Sequence, residues 1–528
     1  MEEFWLIPTC LMVNNIIITI LDKGISFLWS PFLIIIRRNI FFVLFFSVKI
    51  VFGSFSMNKQ LEDAYANILD LDFEQANKLL IAERINNPNN GLVLLYENYI
   101  DFLTILISDD QDFYHDNKYL KNKRIEVISK NYDSESPFYL YCQAEIYLQW
   151  AIINLKFRDY QYAIYGFVKA YYLLEKNQKK HPEFILNKKN LIFLDILLSS
   201  VPPNYQWIIN IAGYTGDIKQ SINSLDLLLK ETSSSLYNIE VVCLASFLQI
   251  NILNNHTAMH QYLDYIGESY RDNLLLNYTA ARLASKLGLN DYCLKVLEDR
   301  PSQKGKHPVY FLDYLQAMSY LYMLDYERSE KYFIYYVNNF KGKNYIKSSY
   351  HKLAWIAELQ KDFISSNIYF QQVIKKGIAY VDADKVALKA AREEHVSNPY
   401  LLKARLCYDG GYYQKAHLEL DNIENPYKLS NKEDTIEYWY RLARISSYLD
   451  TPIDIVIGYY QRAYNSSGNK STSYYAPMSL LQIALLYEEK EDYNNAIIYL
   501  DKCLDVSGFD YERNIHMKAK AALSRLIP

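Results

Sequence analysis

Glycine and proline are scarce, with 16 and 14 residues in a chain of 528. Sandwiches, barrels and propellers spend such residues on their many turns, so those folds are excluded. Cysteine is rarer still: Cys10, Cys142, Cys243, Cys293, Cys407 and Cys503. No two form a CxxC, which removes zinc knuckles and thioredoxin-like sites. Five of the six lie in apolar helical stretches and are expected to pack as small hydrophobes rather than as a disulfide framework. An excess of positive charge is also missing, since 56 Lys+Arg face 60 Asp+Glu for a net −4. A nucleic-acid partner is therefore not expected, because it requires a basic stripe. What the chain does have is 50% hydrophobic residues and 15% aromatics, Tyr alone numbering 51. That content can bury large cores and excludes global disorder. Its length admits roughly three or four domains or one long repeat array.

Residues 1–56 differ from the rest. Apolar runs cover Phe4 to Leu21, Ile25 to Ile36 and Ile40 to Phe52, with Arg37 and Arg38 before the third. Paired arginines, a short apolar run and then Gly53, Ser54 and Ser56 resemble a secretory signal, although Lys49 interrupts the run. The expectation is export with cleavage near residues 53–56, or retention as an inner-membrane anchor. A start near Arg37 would give the signal ordinary proportions. No Cys stands at the cleavage point, so no lipid anchor is expected there. The body beyond residue 56 keeps 52 basic and 57 acidic residues.

Beyond residue 57 helical periodicity dominates, and one spacing recurs. A small residue is followed twelve positions later by another, across a short polar break: Ala64 and Ala76, Ala151 and Ala163, Ala317 and Ser329, Ala354 and Ser366, Ala404 and Ala416, Ala484 and Ala496. Where two antiparallel helices cross closely, only Ala, Gly or Ser lets the backbones approach to ~8 Å. An aromatic (Phe73, Tyr160, Tyr326, Phe363, Tyr413 or Tyr493) stands three residues before each second small residue and is expected to cap the hairpin. Larger residues such as Phe333 with Tyr336 fill the gap to the next repeat.

Small residues at the eighth and twentieth positions, an aromatic at the seventeenth and a large residue at the twenty-fourth resemble the tetratricopeptide repeat (TPR). Leu480 to Leu504 is the best copy, adding Leu480 and Tyr487. The resemblance implies an all-α TPR-like helical-hairpin solenoid, a right-handed superhelix with one continuous core. Residues 57–300 are read as N-terminal TPR-like repeats. Residues 301–528 are read as C-terminal TPR repeats ending in a capping helix over Glu512 to Leu526. Helical pairs over 91–130, 187–232, 236–255, 273–300 and 437–465 fill the gaps, and an inserted helix is expected over Asp382 to Glu394. The layout around residues 197–230, with Pro202-Pro203 and GYTGD, is similar to the inclusion-body-clearance and tetratricopeptide-repeat-protein-39 family. Members of that family are helical TPR proteins without a known catalytic centre.

Catalytic signals are sparse. His256, His260 and Asp264 lie one helical turn apart, yet no Glu follows the first His, so surface or capping roles are expected over a metal site. Gly213 to Asp217 lacks the Lys-Ser/Thr of a phosphate loop and reads as a helix–helix turn, as does Asp409 to Gly411. No nucleophile elbow or Cys/His pair is present. Neither a cofactor nor a metal is expected, and no enzymatic activity.

In TPR arrays the first helix of each repeat lines the concave side. Carried over by register, that side includes Tyr314, Met318 and Tyr322, then His351 and Trp355, then Arg405 and Tyr408. Such a stripe suits an interface hot spot, unless the inserted helix covers it as core. The functional expectation is a non-enzymatic scaffold, exported or membrane-tethered, that binds a protein or peptide of the cell envelope. The alternative is an exported glycan- or nutrient-binding protein using aromatic platforms.

Overall fold

The computed structural model describes residues 53–200, 218–393, 398–429, 431–467 and 473–526. The apolar runs before Gly53 and the turn at Gly213 to Asp217 lie outside the described residues. The first half contains α1 (Lys59–Leu69), α2 (Phe73–Asn86), α3 (Leu92–Ser108), α4 (Gln111–Asn117), α5 (Leu120–Asn131), α6 (Pro137–Lys156), α7 (Tyr160–Lys180) and α8 (Ile185–Ser199). It continues with α9 (Ile218–Thr232), α10 (Asn238–Leu248), α11 (His256–Ile266), α12 (Leu274–Lys286) and α13 (Asn290–Glu298). The second half contains α14 (Phe311–Tyr322), α15 (Tyr326–Asn339), α16 (Ile346–Leu359), α17 (Phe363–Lys375), α18 (Asp382–Arg392), α19 (Pro399–Asp409) and α20 (Tyr413–Asp421). It ends with α21 (Lys432–Ser446), α22 (Ile453–Ser467), α23 (Tyr475–Glu489), α24 (Tyr493–Asp505) and α25 (Glu512–Leu526). No strand occurs among the described residues, and consecutive helices pack as hairpins. The fold is an all-α, TPR-like array of helical hairpins. No helix among the described residues is long and apolar enough to cross a membrane.

The twelve small residues of the recurrent spacing are all buried at the helix crossings. How close the backbones run shows at Gly166 of α7, where an added Cβ would lie 2.8 Å from the Cβ of Ala151. Ser329 uses its hydroxyl at the same crossing position, donating to the Ala317 carbonyl at 2.9 Å. A further copy escapes the small-residue pattern. Cys293 of α13 stands twelve residues after Ala281 of α12, and its thiol reaches the Ala281 carbonyl at 3.4 Å.

The hairpin turns correct the role expected of the aromatics. In each of the six turns the residue two before the aromatic is left-handed: Leu71, Arg158, Leu324, Lys361, Gly411 and Glu491 have φ between 59° and 83°. The next residue sends its N–H back five residues, as from Asp72 to the Asn67 carbonyl and from Asp325 to that of Tyr320, each 2.9 Å. This is a Schellman closure of the first helix. Asp72, Asp325, Asp362 and Asp492 then cap the second helix by accepting from the backbone N–H of Gln75, Arg328, Ser365 and Asn495. The cap is thus the aspartate, because only an acceptor can satisfy the orphan N–H groups. The aromatics open the second helix with mixed burial: Phe73 is buried in the core, whereas Phe363 and Tyr493 are largely exposed, at 64% and 49%.

The array is not a simple stack in chain order. The inserted helix is present as α18, which packs on α16 and α17, whereas α19 packs back on α14. Asp384 of α18 accepts from the backbone N–H of Tyr345 and Ser348 at 2.6 and 2.8 Å. It caps α16, which has no capping side chain of its own. The joint between α12–α13 and α19–α20 is close. Tyr412 donates to Asp291 at 2.5 Å, and a Cβ on Gly411 would stand 2.1 Å from the Gly288 carbonyl oxygen.

The buried apolar residues correspondingly form two large clusters and a small third, in place of one continuous core. The division runs through α19, whose Leu402 and Leu406 face the first cluster while Leu401, Ala404 and Cys407 face the second. Five cysteines are free thiols among the described residues, four buried and Cys243 half-buried. At the N-terminal edge, Gly53 and Ser54 donate to the carbonyls of Asn131 and Asn89, and Phe55 stacks near Tyr132. The segment expected to flank a cleavage point is therefore folded into the array.

Candidate partner-binding surface

The first helices of the N-terminal hairpins converge on a polar network that fills their inner side. Lys189 of α8 lies 2.6 Å from Glu240 of α10 and 3.5 Å from Glu145 of α6. Glu240 also accepts from Tyr65 of α1 at 2.5 Å and from Tyr99 of α3 at 2.9 Å. Glu145 accepts from Tyr141, Gln149 and Asn190. Burial alone would push Glu145 up, yet the Lys189 ammonium and these donors hold it below the usual carboxylate value. Sequence reasoning missed this group, since its members are spread over five helices with no common spacing. They tie those helices together.

The seven residues assigned to the concave side by register separate into two environments. Tyr314 is buried, its hydroxyl 3.0 Å from that of Ser348 and its ring among Phe311, Phe333, Tyr336 and Tyr345. Met318 and Tyr322 are half-buried against the same cluster, and Tyr322 backs onto Gly410. These three belong to the packing of α14, with α19 laid on it. His351 is also buried, its ring 4.6 Å from that of Trp355 and 5.8 Å from Phe370. Tyr314, Met318 and Tyr322 are covered by their own repeat and by α19, while α18, the alternative cover, packs on α16 and α17 and caps the start of α16.

Trp355, Arg405 and Tyr408 begin a second environment. Lys352 and the Arg405 guanidinium both lie over the Trp355 ring, at 3.7 and 5.3 Å from its centroid. Arg444 of α21 lies 4.2 Å over Tyr408 and 5.7 Å over Tyr440. Arg441 pairs with Glu437 and donates to the Tyr475 hydroxyl of α23 at 3.2 Å. Tyr440, Tyr474 and Tyr475 pack edge to edge beside it. The result is a ladder of alternating rings and cations across the first helices α16, α19, α21 and α23. Arg405 lies 3.7 Å from Asp409, and Arg441 pairs with Glu437. Among the described residues no carboxylate comes within ion-pair distance of Arg444; its partners are tyrosine rings. Burial pushes the Tyr408 and Tyr440 hydroxyls up, Tyr440 to about 12, so both stay neutral. Such a strip can bind carboxylate groups through guanidinium forks and apolar side chains through ring edges. Arg441, Arg444 and Tyr440 of α21 were not singled out from sequence, because the α21–α22 hairpin lacks the twelve-residue spacing that supplied the register, and Tyr474 and Tyr475 stand before the first position of their own repeat.

His256 and His260 are exposed on α11, whose N-cap is Asn255. No group of three or more His, Cys, Asp or Glu side chains that could hold a metal occurs among the described residues.

No family model matches the sequence, and no curated relative matches it. Solved structures that align with the chain include Cut9 of the APC/C Cut9–Hcn1 hetero-tetramer, at 12% identity over 89% of this chain and 97% of that one, TM-score 0.26. Yeast Tom70 aligns at 14% identity over 88% of each chain, TM-score 0.23. Human IFIT1, in a dimer with PPP-AAAA, aligns at 14% identity over 85% of this chain and 95% of that one, TM-score 0.28. The description of this chain as a TPR-like helical array rests on its own hairpins, crossings and turns.

Proposed function

We propose that the protein is a non-enzymatic scaffold whose C-terminal half holds an acidic, partly apolar segment of a partner protein. The observation that carries this reading is the ladder from Arg405 to Tyr475, in which Arg444 lies over the rings of Tyr408 and Tyr440 with no carboxylate at ion-pair distance among the described residues. Electrostatic complementarity favours a negatively charged segment, and aromatic and Arg side chains are the usual anchors of such contacts. A sugar-binding platform needs an open ring face, and Trp355 has two cations over its ring and only 4% exposure. The partner belongs to the cell envelope, and residues 1–56 export the chain or tether it to the inner membrane.

Fluorescence polarisation with a panel of acidic, neutral and basic peptides tests the binding claim. Acidic peptides should bind best, weaken with added salt, and lose at least ~10-fold in affinity with Arg444→Ala or Arg405→Ala. Equal binding of basic peptides would refute it. Sequencing the mature N-terminus of the protein from its own cell, together with fractionation, tests the placement; an intact chain confined to the cytoplasm would overturn it.

A further inference from the structure

The α21–α22 hairpin opens, at the end away from its turn, onto a cleft of about 570 Å³. This volume is in the range of small-molecule sites. Its lining carries two cations, Lys432 at the start of α21 and Arg462 near the end of α22, and no carboxylate. Among the described residues neither cation forms an ion pair. The Arg462 guanidinium lies over Trp439 and Tyr459, at 4.7 and 5.9 Å from their centroids, and Trp439 and Tyr459 are themselves stacked. A guanidinium can grip an oxyanion with two parallel bonds, and Arg462 is exposed with no carboxylate at ion-pair distance among the described residues. Asn465 and Ser466, one helical turn on, add neutral polar groups to the same wall.

The opposite wall is a ring platform. Tyr427 is 64% exposed, and its ring is 5.8 Å from that of Trp439. Its backbone is held in place from both sides: Asn425 accepts from the Tyr427 N–H at 3.0 Å, and Thr435 donates to the Pro426 carbonyl at 2.7 Å. A rigid, open aromatic face therefore stands beside two cations without anionic partners.

We propose that this cleft binds a phosphate monoester carried on a ring, Lys432 and Arg462 taking the phosphate and Tyr427 stacking on the ring. A monoester is close to a dianion near neutral pH and matches two cations in a site with no carboxylate. The site is separate from the ladder of the proposed partner surface, so neither reading depends on the other.

Isothermal titration of the full chain with inorganic phosphate, glucose 6-phosphate and adenosine monophosphate tests this. At least one ring phosphate should bind more tightly than inorganic phosphate; which one does so distinguishes a sugar source from a nucleotide source. Arg462→Gln and Lys432→Ala should each weaken that ligand at least ~10-fold. Tyr427→Ala should remove the advantage over inorganic phosphate while leaving inorganic phosphate unchanged. All three side chains are exposed, so circular-dichroism melts of the variants should match the parent. No heat from either ring phosphate overturns the proposal, as does equal binding by inorganic phosphate or undiminished binding in Arg462→Gln.

Discussion

Lys189→Met should loosen the N-terminal half of the array more than any other single surface-neutral change. The Lys189 side chain is 2% exposed and sits 2.6 Å from Glu240 and 3.5 Å from Glu145. At an effective dielectric of about 20, those separations correspond to gross attractions of roughly 6 and 5 kcal/mol. Desolvating three ions offsets most of that, so the intact cluster contributes little net stability. Removing the cation alone is different, because two carboxylates then remain buried without a counter-charge, at a cost of about 3–5 kcal/mol. An array opens locally, so amide hydrogen exchange is the suitable assay. Protection of α6, α8 and α10 should fall by roughly 10²–10⁴-fold, while α21 to α25 keep theirs. The triple variant Lys189→Met, Glu145→Gln, Glu240→Gln should recover most of the loss, since no uncompensated charge is left. The pH dependence has a definite sign. Glu145 titrates below its ordinary 4.5 and Lys189 above its ordinary 10.5. The cluster's contribution is therefore fully present between those values, fading as pH falls through the first group's folded pKa or rises through the second's. Wild-type protection in Lys189→Met at neutral pH would refute the reasoning.

Ala163→Glu or Ala416→Glu places a carboxylate where two backbones cross and should destabilise its hairpin by several kcal/mol; circular-dichroism melts that match the parent would show the crossing to be misassigned. Gly411→Ala forces a methyl group against the Gly288 carbonyl and onto a left-handed backbone, so it should detach α19–α20 from α12–α13, visible as faster proteolysis between residues 393 and 413. Glu358 has an unpaired, buried carboxylate oxygen and is pushed by burial up to about 7. Its folded state holds the proton longer than the unfolded chain, so this group lowers stability as pH rises from 4.5 toward 7. Glu358→Gln should accordingly raise the melting temperature at pH 8 and leave it nearly unchanged at pH 5; an equal effect at both would contradict that account.

Much of the hairpin architecture is legible in the chain because a close helix crossing tolerates only small side chains. Ala64 with Ala76 and Ala484 with Ala496 declare their hairpins by that rule alone. The crossing of Ala281 with Cys293 was hidden because the site there is filled by a thiol, which is small enough sterically yet absent from the small-residue alphabet. The turn was half legible. Asp72, Asp325, Asp362 and Asp492 stand in plain view, but the left-handed residue before each is Leu, Lys or Glu, none of which advertises that conformation. Of the proposed partner surface, Arg405 and Tyr408 were reached by counting register; Arg444 was not, since the α21–α22 hairpin departs from the spacing, nor was Tyr475, which precedes the first position of its repeat. Tyr314, His351 and Trp355 were reached by the same register yet are buried, because what covers a face depends on the next helix in space.

By itself, the order of residues determined that this protein is a run of helical hairpins, where the six patterned hairpins turn, and which small side chains meet at their crossings. Those are contacts within some thirty-five residues, governed by helical periodicity and steric size. Only the tertiary structure decided that α19 stacks on α14 and that α18 turns aside to cap α16. It alone brought Lys189 between two glutamates and Arg444 between two tyrosines. Pairings of that kind depend on the small rotation from one hairpin to the next, which accumulates along the array and is written in no local pattern.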